Sequence, residues 1–219
     1  MFQLFCFGAI GLAIFLFGFL LGFAIKNVYR NKLTLRQNRG EASVRSLIII
    51  NFKSPNFHLL NNVTIPFQDG TTQVDHILIS TKGIFVIETK HYSGWIFGDE
   101  KSDQWMQVIY RIKNRFQNPI RQNYRHVKAI QQLLDFLPKE QIHSIVVFSG
   151  SGIFKTPLPN GVVYLKQLPS YLSKFQNDVI PSDRFEFCVG RLECKRYEIT
   201  GRTDVQHRAY LAKKFNDQV

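Results

Sequence analysis

Cysteine is scarce in this sequence, and the three that occur do not form a metal-binding motif. Cys188 and Cys194 are six positions apart, which is not a zinc-site spacing. The six histidines are scattered, so we expect them to have ordinary structural roles rather than to bind zinc. The chain has no glycine-rich phosphate loop and no ordered Ser, His and Asp set, which argues against ATP-driven chemistry and against a serine nucleophile.

Acidic residues are also few: the chain has 16 Asp and Glu against 28 Lys and Arg, which gives a net charge of +12. No acidic residue precedes Glu41, whereas five basic residues lie between positions 26 and 39. Excess positive charge favours nucleic-acid phosphate or an anionic membrane surface as a partner. Charge alone leaves both partners open, together with simple solubility.

Residues 1–25 form an apolar run in which Gln3 is the only strongly polar side chain. This length suits one transmembrane helix; the alternative is a cleaved signal peptide, but no basic residue precedes the run. The basic linker 26–39 then predicts a single-pass protein with its C-terminal domain in the cytoplasm. Gly18 and Gly22 form a GxxxG pattern, which is found where membrane helices form homodimers.

The remaining sequence predicts an α/β (α+β) domain with a mixed central sheet flanked by helices. We expect a core at 40–137 and a continuation of the same domain at 138–219. Apolar periodicity predicts helices at 40–52, 118–137 and 204–215. Alternating and β-branched segments predict strands at 59–66, 72–80, 83–91, 95–97, 105–110, 143–149 and 162–165.

Charged residues stand at the end of the strand predicted at 83–91. Glu88 and Lys90 share one face of that strand, because side chains alternate. If Thr81-Lys82 is a two-residue hairpin loop, Asp75 lies opposite Glu88 on the same face. Two adjacent carboxylates suit Mg²⁺ or Mn²⁺; the alternative is a simple ion pair between Lys90 and one of them.

Several short motifs occur in an order that resembles the nuclease-related domain (NERD) family. They are Gly40-Glu41, Thr72-Gln73-Val74-Asp75-His76, Gly83-Ile84-Phe85-Val86-Ile87-Glu88-Thr89-Lys90, Gly94, Trp105, and Asn118-Pro119 with Gln122. The resemblance covers roughly residues 40–137. The core of Asp75, Glu88 and Lys90 is similar to that of the PD-(D/E)xK nucleases, whose sheet is restriction-endonuclease-like.

The resemblance implies roles for individual residues. Asp75 and Glu88 would bind Mg²⁺ or Mn²⁺, and Lys90 would be the catalytic lysine. Glu41 would support the metal or its water, and Gln122 would lie on the flanking helix. Recombination-type nucleases of this fold often carry a tyrosine four residues after that glutamine, whereas this chain has His126.

Residues 104–134 contain no acidic residue but several basic ones. Those expected to bind nucleic acid are Arg111, Lys113, Arg115, Arg121, Arg125 and Lys128. The alternative is a solvated helix face that contacts anionic lipid. We expect Trp95 and Trp105 to lie in the core.

The leading hypothesis is a membrane-anchored, metal-dependent nuclease that acts on DNA or RNA, with DNA favoured. The alternatives are an inactive nucleic-acid or protein binding module on the membrane, and a lipid-binding scaffold.

Overall fold

The computed structural model describes residues 39–53 and 55–197, together with residues 207 and 209. Helix α1 covers residues 39–51. After it follow β1 (Phe57–Phe67), β2 (Gly70–Ser80), β3 (Gly83–Lys90), β4 (Trp95–Phe97), β5 (Gln104–Ile109), β6 (Ile112–Gln117), α2 (Pro119–Leu133), β7 (Ile142–Phe148), β8 (Ile153–Phe154), β9 (Val162–Tyr164), α3 (Leu168–Leu172) and α4 (Ser182–Lys195). Short 3₁₀ turns at Lys139–Gln141 and Leu165–Gln167 precede β7 and α3.

The large sheet has the strand order β1-β2-β3-β7-β9. Strands β1, β2 and β3 are antiparallel neighbours, and two-residue loops join them. Strands β3, β7 and β9 run parallel. A parallel pair needs a crossover, and helix α2 lies in the connection between β3 and β7. The predicted mixed sheet is therefore confirmed, and the segment after residue 137 supplies two of its five strands.

Strand β3 lies at the centre of the large sheet and is covered on both faces. Ile84 and Val86 pack into a cluster with residues of α2 and α4, including Ile130. Phe85 and Ile87 pack on the other face against residues of α1 and α3. A strand buried on both faces reads as a continuous apolar run, which explains the segment before Glu88.

The small sheet has the order β6-β5-β4-β8 and combines antiparallel and parallel pairs. Its inner face, which includes Ile96 and Trp105, packs against Phe148 of β7. Strand β6 was not predicted, because Ile112–Gln117 is mostly polar and exposed. It forms by pairing with β5 through a tight turn in which Tyr110 has φ 55°.

Helices α3 and α4 were also absent from the sequence predictions. Phe185, Cys188 and Leu192 are the buried residues of α4, and their spacing of three and four was a usable helical signal. The predicted membrane helix 1–25, residues 26–38 of the predicted linker and nearly all of the predicted helix 204–215 lie outside the described residues. Residue 39, the last of the predicted linker, is instead the first residue of α1. Within the described residues, no helix has the length and apolarity that crossing a membrane requires.

Candidate active site

Two acidic residues from neighbouring strands meet at the end of β3. The hairpin pairs Ser80 with Gly83 and runs in register up to His76 and Ile87, as the sequence predicted. Asp75 is the next residue along β2, and its Oδ2 accepts a hydrogen bond of 2.7 Å from the backbone N–H of Thr89. The backbone of β3 therefore holds the Asp75 carboxylate beside Glu88.

Glu88 is buried, with 1% of its surface exposed, and its two oxygens face different partners. Nζ of Lys90 donates to Oε1 at 2.7 Å and to Oε1 of Gln122 at 3.0 Å. The ion pair expected under the simpler interpretation therefore forms. Nε2 of His126 lies 3.2 Å from Oε2 of Glu88, but the contact does not have the angle of a hydrogen bond.

Burial and neighbouring charges perturb the acids and the lysine in different directions. Burial, followed by the charges of Glu88 and Glu41, raises the pKa of Asp75 well above its usual value. Burial also pushes the pKa of Glu88 upward, but the charge of Lys90 and the contact with His126 outweigh it, so that pKa is lowered. Burial opposes the charge on Lys90, yet the charge of Glu88 and the hydrogen bond between them raise the lysine pKa.

Glu41 reaches this end of the sheet from helix α1. Its charge contributes to the raised pKa of Asp75, after burial and the charge of Glu88. Gly40 permits this approach: a Cβ there would lie 2.6 Å from Oγ of Ser149 and 2.8 Å from Cβ of His91. The small residue before Glu41 thus lets α1 pack against the ends of β3 and β7.

Helix α2 begins where its N-terminal residues can reach the site. Oδ1 of Asn118 accepts a hydrogen bond from the backbone N–H of Ile120 at 2.9 Å, as an N-cap residue does. Asn123 is fully buried, and its Nδ2 donates to the backbone oxygen of Val86 and to Oγ of Ser144, both at 2.9 Å. These bonds fix α2 across β3 and β7, with Gln122 and His126 on either side of the anchoring asparagine.

The oxygen donors of this site fit a hard divalent cation. Within the described ranges, no three His, Cys, Asp or Glu side chains form a group that could hold a metal alone. Mg²⁺, however, usually keeps several waters and needs only one or two carboxylates beside substrate phosphate. Oε2 of Glu88 is buried without a hydrogen bond, and negative charge crowds Asp75, so a cation between them would relieve both.

The basic residues of helix α2 have different local partners. Arg121 forms an ion pair with Asp103 and donates to the backbone oxygen of Lys101, which ties it to the β4–β5 loop. Nζ of Lys128 lies 5.2 Å from the centre of the Tyr124 ring. Arg125 is half-buried on the same helix.

The other basic residues lie on the β5–β6 hairpin. Arg111 is in the turn, and Lys113 and Arg115 alternate along β6. All three are exposed. The six basic residues therefore belong to two separate elements, a helix and the edge of the small sheet.

The expectation of a core position was wrong for Trp95, and His126 has a contact that the sequence did not predict. His126 contacts Glu88, and its Nδ1 shares a hydrogen bond of 2.8 Å with Oγ1 of Thr72. Its position four residues after Gln122 was the available signal, since such residues share one helix face. Trp105 is in the core at 1% exposure as expected, whereas Trp95 is 50% exposed.

Comparison with known proteins identifies the family. The model of the nuclease-related domain family matches residues 36–149, just over half of the chain. An uncharacterized protein of Bacillus anthracis is 52% identical over 80 residues, which are 36% of this chain and 38% of that protein. The chain thus matches well under half of that relative's length, and no solved structure gives a significant match. On the family match, this chain belongs to the nuclease-related domain (NERD) family.

Proposed function

We propose that this protein is a membrane-anchored nuclease that hydrolyses phosphodiester bonds of DNA or RNA with Mg²⁺ or Mn²⁺, with DNA preferred. The observation that carries the proposal is the meeting of Asp75, Glu88 and Lys90 at the end of a buried central strand. Buried charge is costly unless it is paired or coordinates a metal. Two acids and one lysine leave unpaired negative charge there, which favours a cation.

Each residue of the site has a separate task in this proposal. Asp75 and Glu88 would hold the metal ion, which would supply positive charge for a phosphate oxygen and make a nearby water more acidic. Lys90 keeps its proton, because its pKa is raised, and the ammonium stabilises the negative charge that develops on the phosphate. Gln122 orients that ammonium through the 3.0 Å bond from Nζ, and Glu41 would support the metal or its water.

Cleavage by the full chain, purified in a neutral detergent, tests the proposal directly. Labelled single- and double-stranded DNA and RNA are incubated with Mg²⁺, Mn²⁺ or EDTA. We expect metal-dependent cleavage that Asp75→Asn, Glu88→Gln and Lys90→Met each abolish. Glu140→Gln and Lys139→Gln change exposed residues and serve as matched controls.

The negative outcomes of that experiment separate the alternatives. Cleavage that persists in EDTA or in all three variants would place the chemistry elsewhere. Binding without cleavage in either metal would identify an inactive binding module of nuclease fold. Neither binding nor cleavage would favour the lipid-binding scaffold.

Membrane anchoring by residues 1–25 is a separate part of the proposal. It rests on the apolar run and on the basic residues that follow it, and such positive flanks favour a cytoplasmic C-terminal domain. We expect the full chain to stay in membranes after alkaline extraction and a chain lacking residues 1–25 to be released. Protease added from the cytoplasmic side should degrade the domain. Protection of the domain would indicate the opposite orientation in the membrane.

A further inference from the structure

The small sheet presents an exposed apolar row on the face that points away from the large sheet. Trp95 of β4 pairs with Val108 of β5 and with Ile153 of β8, and directly paired residues share a face. Trp95 and Ile153 are 50% and 55% exposed, whereas Ile96, on the opposite face of β4, is fully buried in the core. Phe97 and Met106 form the next paired row and are partly exposed.

Cations border this apolar row on two sides. Lys113 pairs with Val108, and Arg115 pairs with Met106, so both lie on the same outer face. On the other side, Nζ of Lys155 lies 4.8 Å from the centre of the Trp95 ring. All three cations are exposed.

Negative charge is missing from the strands of this sheet and is engaged elsewhere in the adjoining loop. The strands β4, β5, β6 and β8 contain no Asp or Glu. The β4–β5 loop has three acids, each with a local partner: Asp99 with Ser102, Glu100 with the backbone N–H of Asn160, and Asp103 with Arg121. The outer face therefore combines an aromatic ring with net positive charge.

We propose that this outer face binds single-stranded nucleic acid, with a base stacked on Trp95 and phosphates held by Lys113, Arg115 and Lys155. Duplex bases are already stacked on one another, so an exposed aromatic ring can stack only on an unpaired base. A face that bound duplex phosphates alone would have no use for the apolar row. The chemistry of the face thus selects single strands.

The proposal deepens the proposed function and rests on it for the identity of the substrate. Trp95 follows Lys90 by five residues, which at most span about 18 Å of extended chain. A strand that is bound on the outer face therefore has a short path to the end of β3. Single-stranded regions are the form of substrate that this arrangement delivers.

Tryptophan fluorescence gives a direct readout, because the chain has only two tryptophans and Trp105 is buried. The full chain in neutral detergent is titrated with a short single-stranded oligothymidylate in EDTA, where no metal-dependent cleavage can occur. We expect the emission to be quenched and Trp95→Phe to lose the quenching while keeping the affinity. Trp95→Ala should bind about 5-fold to 150-fold more weakly, as loss of one stacked base predicts.

Two further probes separate stacking from charge. An abasic strand of equal length carries the phosphates without bases and should bind weakly with no quenching. The double variant Lys113→Gln/Arg115→Gln should reduce the slope of log affinity against log salt by about 1.4. Phe187→Ala, at a 55% exposed aromatic on α4, and Lys139→Gln/Lys195→Gln should bind like the unaltered protein.

The outcomes also distinguish this inference from the nuclease proposal. Unchanged affinity of Trp95→Ala, or equal binding of the abasic strand, would overturn the stacking site even if metal-dependent cleavage occurs. If Trp95→Ala weakened the binding of duplex and of single strands to the same degree, that result would overturn the stacking site as well. Trp95-dependent binding without cleavage in any metal would support the stacking site and overturn the nuclease proposal.

Discussion

Nε2 of His126 on helix α2 lies 3.2 Å from Oε2 of Glu88 on strand β3. On its other side the imidazole is held by the hydroxyl of Thr72, which is 2.8 Å from Nδ1. Thr72 of β2 thus fixes an imidazole that contacts the carboxylate of Glu88, a proposed metal ligand. Such outer partners orient a ligand and tune its affinity.

We therefore expect His126→Ala to lower the metal-dependent cleavage rate by about 10-fold to 100-fold, as loss of an outer partner of a metal ligand does. Thr72→Val removes only the hydroxyl that fixes the ring and should have a smaller effect. Titration of Mn²⁺ into each variant measures the metal affinity, which should fall in the same order. Unchanged metal affinity together with a lower melting temperature would show that His126 is structural only.

Gln122 contacts the proposed catalytic lysine rather than the carboxylates. Gln122→Leu removes the oxygen that accepts a hydrogen bond from Lys90, and a hydrogen bond to a charged group contributes about 1.5–3 kcal/mol. We expect kcat to fall at least about 10-fold with metal affinity unchanged. Gln132→Leu, at an exposed position on the same helix, is the control. A loss of metal affinity in Gln122→Leu would contradict this assignment.

Asn118 joins helix α2 to the β4–β5 loop, and its loss should destabilise both. Oδ1 caps the helix, and Nδ2 donates to the backbone oxygen of Ser102 at 2.7 Å. Loss of an N-cap costs about 0.5–2 kcal/mol, and loss of the hydrogen bond to the backbone oxygen of Ser102 adds to this. Denaturant unfolding should rank Asn118→Ala below Asn118→Ser, which keeps the cap but not the amide donor. Asn114→Ala, at an exposed position of β6, should change stability little.

His76 should make the protein sensitive to acid. Its pKa is lowered from 6.5 to about 4, mainly by burial and further by the charge of Arg45, against the opposing charge of Glu88. Between these pH values the unfolded chain binds a proton that the folded chain does not, so the free energy of unfolding falls as the pH falls. The loss is on the order of 3 kcal/mol. In thermal unfolding experiments, His76→Gln should not show this loss of stability as the pH falls. An equal loss of stability in the variant and in the unaltered protein would contradict the prediction.

The hairpin of β2 and β3 was predictable because its determinants are local. Alternation fixes which side chains share a face, and the two-residue Thr81-Lys82 loop fixes the register. The same holds for the start of α2, where Asn118 and Pro119 stand at preferred positions. Strand β6 was missed because pairing with β5, and not its own polar sequence, makes it a strand.

The sequence by itself determined that Asp75, Glu88 and Lys90 lie together, since a short loop and a period of two leave one arrangement of that face. Only the tertiary structure decided which residues surround them. Thr72 and His126 are 54 positions apart, and they meet because Asn123 fixes α2 across β3 and β7. Trp95 likewise stays exposed because the opposite face of its short strand packs on the large sheet, which no local pattern specifies. Contacts between distant elements depend on how whole faces pack, and packing is a property of the folded chain.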